Sequence, residues 1–335
     1  YLLNDPTALP QPNSAVENML VLDYDSPEAL RVIEERADEI AAVLVEPVQS
    51  RRPHLQPREF LHELRRVTAK SGSALIFDEV ITGFRIHPGG VQAHFGIRAD
   101  IATYGKIPGG GMPIGAIAGR AAFMDALDGG QWQYGDDSMP TAGVTYFAGT
   151  FVRHPLALAA AKVVLTELRE KGPDLQRGLG DLTGRMAGEL NRFFEESGAP
   201  LRLEHFGSLF KPLYQEELPH ADLLFYHLRL RGIHVWDARP CFLTLAHSEA
   251  DVQRIVDAFK ASVQAMQEAG FLPRRAPRAR VATLDSTPAS TPDTAAPPLP
   301  GARRGRNPQG QDGWYLSDPN RPGKGARLAR HVRKH

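Results

Sequence analysis

Short apolar runs separated by amphipathic stretches occupy the first half of the chain. The runs Ile40–Val45 and Ala74–Phe77 have the length of strands, and each is followed at once by an acidic residue. Between them, Pro57 opens a stretch in which apolar residues recur at helical spacing until Gly72. A strand, a helix and a second strand in this order predict a βαβ unit with two parallel strands.

Two more strands are predicted after this unit. The run Ile101–Tyr104 leads to Gly105-Lys106, and the run Gly115–Gly119 follows a glycine-rich turn. The pattern predicts an α/β fold whose mostly parallel sheet is flanked by helices. Polar residues follow successive strands, and ligands of open α/β sheets bind at such strand ends. We therefore expect a ligand site along this edge of the sheet.

The second half of the chain predicts a small α+β domain. A helix begins at His154-Pro155, with proline at its first position, and continues to Gly172. Ser248 and Asp251 form a capping-box pattern at the start of a later helix. The other predicted elements are helices over 174–196 and 221–231 and strands over 201–203, 208–214, 233–236 and 242–245. We place the large domain at residues 1–172 and the small domain at 173–272.

The periodicity ends at Pro273. Residues 273–335 hold 10 of the 27 prolines, and they carry 13 Lys and Arg against 4 Asp and Glu, although the whole chain has no net charge. This composition predicts a disordered Pro/Arg-rich linker to a further module. A basic segment could attract nucleic acid, but no recognition fold accompanies it, so we expect no nucleic-acid partner.

Composition excludes several other classes of protein. No apolar run is long enough to span a membrane and no signal peptide opens the chain, which favours a cytoplasmic protein. Cys241 is the single cysteine, so no internal disulfide can form. The histidines show no metal-binding spacing with it, and we expect no metal site.

Asp78 and Lys106 together predict specific chemistry. Adjacent parallel strands would bring the carboxylate and the amine to one edge of the sheet. A lysine in such a cleft can form a Schiff base with an aldehyde cofactor, and a carboxylate can keep a pyridine nitrogen protonated. Taken singly, the lysine fits a solvated charge and the acid fits a helix cap. An ATPase reading of ALIFDE and Gly105-Lys106 fails because Ile107, not Ser or Thr, follows the lysine.

Three blocks in order resemble class III aminotransferases and the related glutamate-1-semialdehyde aminomutases. They are LIFDEVITGFR (75–85), TYGKIPGGGMPIGA (103–116) and FAGTFVRHPLA (147–157). The resemblance covers roughly residues 15 to 270, and it implies fold type I of the transferases that depend on pyridoxal 5′-phosphate (PLP). It also implies a PLP-dependent transaminase.

The resemblance assigns roles to individual residues. Lys106 matches the lysine that binds PLP as a Schiff base and then moves the substrate proton. Asp78 matches the partner of the pyridinium nitrogen, Val80 the apolar residue on the ring face, and Glu46 a carboxylate behind Asp78. Thr150 matches a hydroxyl that reaches the cofactor phosphate of a neighbouring subunit, which implies a homodimer.

Longer stretches resemble aminotransferase domains within hybrid polyketide and nonribosomal peptide synthetases. They are residues 43–65, 132–162, 233–247 and the junction-like 313–324. Such domains transaminate a β-ketoacyl thioester held on an acyl carrier protein, and Arg239 lies where the carboxylate of an amino donor would bind. A surface ion pair is the competing reading of Arg239.

Two alternatives remain open. Ile81 stands where many class III members carry glutamine, and an apolar residue at this position resembles the aminomutase branch. A free-standing aminomutase-like enzyme is therefore one alternative. The chain begins at Tyr1, and no glycine- and serine-rich phosphate loop or stacking aromatic residue precedes Glu46. We therefore expect an N-terminally truncated chain, and a noncatalytic aminotransferase-like fragment is the other alternative.

Overall fold

The computed structural model describes residues 18–130, 135–139 and 149–274, and the backbone of three short strands between residues 303 and 332. The chain divides into two compact units, one of residues 23–278 and one of residues 1–22 and 279–335. The helices of the larger unit are α1 (Pro27–Glu35), α2 (Arg58–Ser71), α3 (Gly90–Phe95), α4 (Ala121–Asp128), α5 (Pro155–Lys171), α6 (Pro173–Ser197), α7 (Leu223–Leu230) and α8 (Glu249–Glu268).

A four-stranded sheet forms the first half of this unit. Its strands are β1 (Ala42–Val45), β2 (Ala74–Asp78), β3 (Ile101–Gly105) and β4 (Gly115–Gly119), in the order β1-β2-β3-β4. The first three are parallel and β4 is antiparallel to β3. Leu75 and Phe77 are fully buried and pack the sheet against the buried face of α2. The predicted βαβ unit and mostly parallel sheet are confirmed.

A second sheet and three helices build the smaller core. The strands β5 (Leu201–Phe206), β6 (Leu209–Tyr214) and β7 (Cys241–Phe242) are antiparallel, in the order β5-β6-β7. Leu190, Phe194 and Phe259 are fully buried in the cluster that joins this sheet to α6, α7 and α8. The helices α6 and α8 therefore bury one face each, as their apolar spacing predicts.

One predicted strand of this domain is wrong. Residues 233–236 form no strand, because the described residues provide no neighbouring strand for their backbone. Ile233 instead donates its backbone N–H to Leu228 O (2.9 Å), which closes the end of α7, and Val235 enters the core. The strand predicted at 242–245 shortens to Cys241–Phe242 because Thr244 turns the chain toward His247.

The other unit contains a three-stranded antiparallel sheet, in the order β10-β9-β8. Its strands are β8 (Arg303–Arg306), β9 (Asp312–Ser317) and β10 (Leu328–Val332). These strands lie within the predicted linker, and the remaining residues of the segment after 274 lie outside the described part. The three domain boundaries stay predictions.

Candidate active site

Three parallel strands deliver acidic and basic residues to one edge of the large sheet. Val45 pairs with Phe77, so the next residues along the two strands, Glu46 and Asp78, lie side by side at the strand ends. Asp78 in turn pairs with Thr103 on β3, and Lys106 directly follows the end of that strand. The parallel register therefore brings Glu46, Asp78 and Lys106 to the same edge, as the sequence predicts.

Asp78 is held by one of its two carboxylate oxygens. Its Oδ1 accepts hydrogen bonds from Val80 N (3.0 Å) and from Thr103 Oγ1 (3.3 Å). Within the described residues, no donor reaches Oδ2. The side chain is half-buried, so Oδ2 can accept a hydrogen bond from a ligand while Oδ1 keeps the carboxylate oriented.

Lys106 occupies a strained backbone position. Its φ of 57° and ψ of −90° lie outside the regions that non-glycine residues favour. The 3-10 turn Ile107–Gly109 starts immediately after it and packs on α5, where Gly110, at φ 57°, allows the close approach of Val164. Packing behind the turn therefore fixes the position of the lysine, whose side chain is exposed.

Val80 lies beside the strand that carries Lys106. A Cβ placed on Gly105 would stand 3.2 Å from Val80 Cγ1, so the valine packs on the backbone next to the lysine. The absence of a side chain at Gly105 permits this contact. Val80 thus provides an apolar side chain next to the residue that precedes Lys106.

Glu46 shares the electrostatic environment of this edge. It is half-buried and accepts a hydrogen bond from Ser50 N (2.9 Å). Burial raises the pKa of the Glu46 carboxyl, the Ser50 bond opposes the rise, and the charges of Asp78 and Lys106 act on it with opposite signs. The three ionisable groups are therefore close enough to influence one another.

A buried network fixes the loop that follows Asp78. Glu79 is fully buried and accepts hydrogen bonds from Val91 N (2.7 Å) and Gln92 N (3.2 Å) at the start of α3. Gln92 Nε2 donates to Tyr104 Oη (3.1 Å), two residues before Lys106. The network connects the loop after β2 to the strand that carries the lysine.

Thr150 and Arg239 lie apart from these residues. Thr150 is exposed in the turn before α5, and Arg239 is exposed in the turn before β7, with its guanidinium 5.0 Å from the centre of the Trp236 ring. Among the described residues, neither makes a hydrogen bond or ion pair with Asp78 or Lys106. Their roles toward cofactor and substrate remain predictions.

The sequence did not single out a group of basic residues near this edge. Lys211 Nζ donates to Arg51 O (3.3 Å), and Arg239 is near enough to lower the pKa of Lys211. Arg85 is stacked 4.1 Å from the centre of the Phe242 ring, and burial lowers its pKa to about 10. The sequence predicts Arg239 as a substrate contact, and the block 75–85 includes Arg85. No local pattern joins these residues into a group, because they come from separate elements.

Neither a metal-binding cluster nor a membrane-spanning helix is present among the described residues. In residues 18–130, 135–139 and 149–274, no three His, Cys, Asp or Glu side chains are grouped so that they could hold a metal ion. In the same part of the chain, no helix is both long and apolar enough to cross a membrane.

The strand-edge lysine and aspartate, together with the α/β fold, define a class of protein. Residues 5–259 match the aminotransferase class-III family, and the chain belongs to that family. It is 31% identical to glutamate-1-semialdehyde 2,1-aminomutase 1 of Lachnoclostridium phytofermentans over 78% of this chain and 62% of that protein. The chain spans about three fifths of the length of the curated relatives it matches, 62% and 59% for two aminomutases.

Solved structures share the fold. An ω-transaminase from Sphaerobacter thermophilus superposes with a TM-score of 0.68 and 30% identity, covering 78% of this chain and 60% of that one. A β-phenylalanine aminotransferase from Variovorax paradoxus gives 0.64 and 32% identity, covering 76% and 59%. The predicted fold of a PLP-dependent transferase is therefore confirmed.

Proposed function

We propose that this protein is a PLP-dependent aminotransferase in which Lys106 holds the cofactor. The observation that carries the proposal is the placement of Glu46, Asp78 and Lys106 at the ends of three adjacent parallel strands. Membership of the class III family and the likeness to a solved transaminase with PLP bound support it.

The residues at this edge fit PLP. Oδ2 of Asp78 has no hydrogen-bond donor within the described residues, and Lys106, which is exposed, follows the end of the neighbouring strand. Val80 packs on Gly105, the residue before the lysine. A carboxylate for the ring nitrogen, an apolar residue for the ring face and an amine for the aldehyde are the protein groups that this cofactor needs.

Each residue then has a defined task. Bound PLP would supply an aldehyde that accepts amino groups and a pyridine ring that withdraws electrons. Asp78 keeps the ring nitrogen protonated, and Glu46 provides a second carboxyl group behind Asp78. Nζ of Lys106 removes and returns the proton at the substrate carbon that bears the amino group. Val80 excludes water from one ring face.

We extend the proposal to the subunit arrangement. Thr150 stands in the exposed turn before α5, where its hydroxyl and the backbone N–H groups at the helix start are suited to a phosphate. The resemblance assigns such a residue to the cofactor of a neighbouring subunit. The active unit would then be a homodimer, and size-exclusion chromatography with light scattering measures this directly.

For the acceptor substrate, we propose a β-ketoacyl thioester on an acyl carrier protein. The synthetase-like stretches of the sequence favour it. The β-phenylalanine aminotransferase, named for a β-amino acid, is 32% identical and supports amine chemistry at a β-carbon. Arg239 would bind the carboxylate of the amino donor. A glutamate-1-semialdehyde aminomutase is the second candidate, because curated relatives with 31% and 32% identity carry that name.

Absorbance spectroscopy tests the cofactor assignment. Adding PLP to the purified protein should produce the visible band of lysine-bound cofactor, and Lys106→Ala should abolish it. Lys162→Ala serves as a control, since Lys162 is an exposed lysine on α5. A wild-type protein without the band, or a Lys106→Ala protein that retains it, would reject the assignment in favour of a noncatalytic fragment.

Mass spectrometry of the products tests the substrate. We expect conversion of a β-ketoacyl thioester to the β-amino thioester with an amino donor, and a loss of about 100-fold or more in rate for Lys106→Ala, the range for a missing general acid and base. Turnover of glutamate 1-semialdehyde, with none of the thioester, would select the aminomutase instead.

A further inference from the structure

Three basic residues from three separate elements lie close together, next to the loop that carries Glu46. Arg51 belongs to the loop after β1, Lys211 to β6 and Arg239 to the turn before β7. Lys211 Nζ reaches Arg51 O over 3.3 Å. Cys241, two residues after Arg239, pairs with Phe210, the neighbour of Lys211. We call Arg51, Lys211 and Arg239 the basic cluster.

The basic cluster lacks a neutralising acid at two of its members. Among the described residues, neither Lys211 nor Arg239 has a carboxylate within ion-pair distance, whereas most exposed arginines of α1 and α2 do, for example Arg31 and Arg66. Partial burial lowers the pKa of Lys211, and the charges of Arg51 and Arg239 lower it further. Like charges grouped in this way create a local positive potential that an anion would relieve.

The loop after β1 connects the basic cluster to the candidate active site. The same loop carries Glu46, whose Oε1 accepts a hydrogen bond from Ser50 N (2.9 Å), and Arg51 follows directly. A molecule whose anionic group binds the cluster would therefore have one end beside the loop that also carries Glu46, at the sheet edge of Asp78 and Lys106.

The donors suit a phosphate group. Two guanidinium groups and one ammonium group approach from the loop after β1 and from the small domain, and they can share the several oxygens of a tetrahedral anion. The Trp236 ring, 71% exposed, lies beside the Arg239 guanidinium and provides an apolar surface for the organic part of the ligand. A single carboxylate would need only one of these three cations. The phosphate therefore takes the place of the donor carboxylate as the ligand of Arg239.

We propose that Arg51, Lys211 and Arg239 bind the phosphate of a phosphopantetheine group that carries the acyl substrate. The inference rests on the proposed function, since it specifies how a thioester substrate would be held during amino transfer. The phosphate could belong to a carrier protein's prosthetic arm or to coenzyme A, and both present the same pantetheine phosphate.

Trp236 fluorescence measures this binding without cofactor or turnover. The protein would carry Phe at Trp132 and Trp314, so that Trp236 is the only tryptophan. It would be titrated with 4′-phosphopantetheine, pantetheine and inorganic phosphate. We expect phosphopantetheine to bind about tenfold or more tightly than pantetheine, the contribution of a charge-assisted hydrogen bond. The preference should weaken as salt is added.

Substitutions show which residues cause the preference for phosphopantetheine over pantetheine. Lys211→Gln and Arg239→Gln should each lower the preference for phosphopantetheine over pantetheine by about twofold or more, because one of the three charged donors is lost and two remain. Arg185→Gln is the matched control, since Arg185 is exposed and pairs with Glu249 (3.1 Å). Equal binding of the two compounds, or an unchanged preference in Lys211→Gln, would overturn the inference.

Further measurements distinguish failure of the phosphate site from failure of the proposed amino transfer. A competition experiment then distinguishes a carrier protein from coenzyme A as the source of the phosphate. A Lys106→Ala protein that keeps the phosphate preference while the wild type transfers no amine would reject aminotransfer but retain the site. Equal turnover of pantetheine and phosphopantetheine thioesters would retain aminotransfer and reject the site. Competition by a carrier protein in its phosphopantetheinylated form, stronger than by coenzyme A, would identify the carrier as the source of the phosphate. The reverse order would identify coenzyme A.

Discussion

Thr103 donates a hydrogen bond from Oγ1 to Asp78 Oδ1 over 3.3 Å, from the strand that carries Lys106 to the strand that carries Asp78. The bond joins the two halves of the candidate cofactor site across one parallel strand pair. Together with the Val80 N–H, it holds Oδ1, and no donor among the described residues reaches Oδ2.

Thr103→Val should therefore weaken PLP binding. Loss of one hydrogen bond that orients Asp78 corresponds to an increase of about 2- to 10-fold in the dissociation constant. Titration of the visible cofactor band measures the change. Thr103→Ser retains the hydroxyl and should bind PLP as the wild type does, and equal affinity in the Val and Ser variants would contradict the role of the bond.

Glu79→Gln should alter how stability depends on pH. Burial raises the pKa of the Glu79 carboxyl, against the opposing hydrogen bonds from Val91 and Gln92. A raised pKa in the folded state means that the folded protein holds this proton more tightly. The stabilisation is complete below the unfolded pKa of about 4.3, and it is lost as pH rises through the folded pKa.

Glutamine carries no titrating proton, so the stability of the wild type relative to Glu79→Gln should fall as pH rises from about 4 to neutral. Urea unfolding at several pH values measures the difference. A wild type that gains stability over the variant across this range would show that the carboxylate is stabilised in its charged form instead.

Asp100→Asn should destabilise the large sheet at neutral pH. Asp100 is buried and accepts hydrogen bonds from Leu75 N (2.8 Å), Arg65 Nη1 (2.7 Å) and Arg120 Nη1 (2.9 Å). Asparagine can replace only one of the two acceptor oxygens, so we expect a loss of about 1–3 kcal/mol in unfolding free energy.

The effect of Asp100→Asn should disappear in acid. Burial acts to raise the Asp100 pKa, but the bonds from Leu75, Arg120 and Arg65 outweigh it, and the pKa is lowered. Its stabilisation is present above the unfolded pKa of about 3.9 and is lost as pH falls through the folded pKa. Glu63→Gln, at an exposed ion pair with Arg66, is a control that should change stability little.

Ser248→Ala should weaken the start of α8. Ser248 Oγ accepts a hydrogen bond from Asp251 N (3.2 Å), and Ser248 N donates to Asp251 Oδ2 (2.9 Å). Removing the hydroxyl should cost about 1 kcal/mol of unfolding free energy, since an N–H at the helix start loses its acceptor. Thermal unfolding reports the loss. Ser248→Asn keeps a capping oxygen and should restore most of the stability.

Local patterns in the sequence predicted most of the elements correctly. The parallel strands β1 and β2, the helix between them and the capped helix α8 follow from apolar spacing, Pro57, Gly72 and Ser248. The predicted strand at 233–236 failed because an apolar run becomes a strand only beside another strand. The short helix α3 was missed, since its start depends on Glu79, which lies eleven residues before Gly90.

For the candidate site too, one part could be predicted from the sequence and another part could not. The sequence by itself determined the residue types and the strand ends of Glu46, Asp78 and Lys106, because strand length and chain order fix which residues reach the edge. Only the tertiary structure decided that Thr103 orients Asp78 and that Arg51, Lys211 and Arg239 meet. Those contacts join residues far apart in the chain, and packing of separate elements, which no local pattern encodes, brings them together.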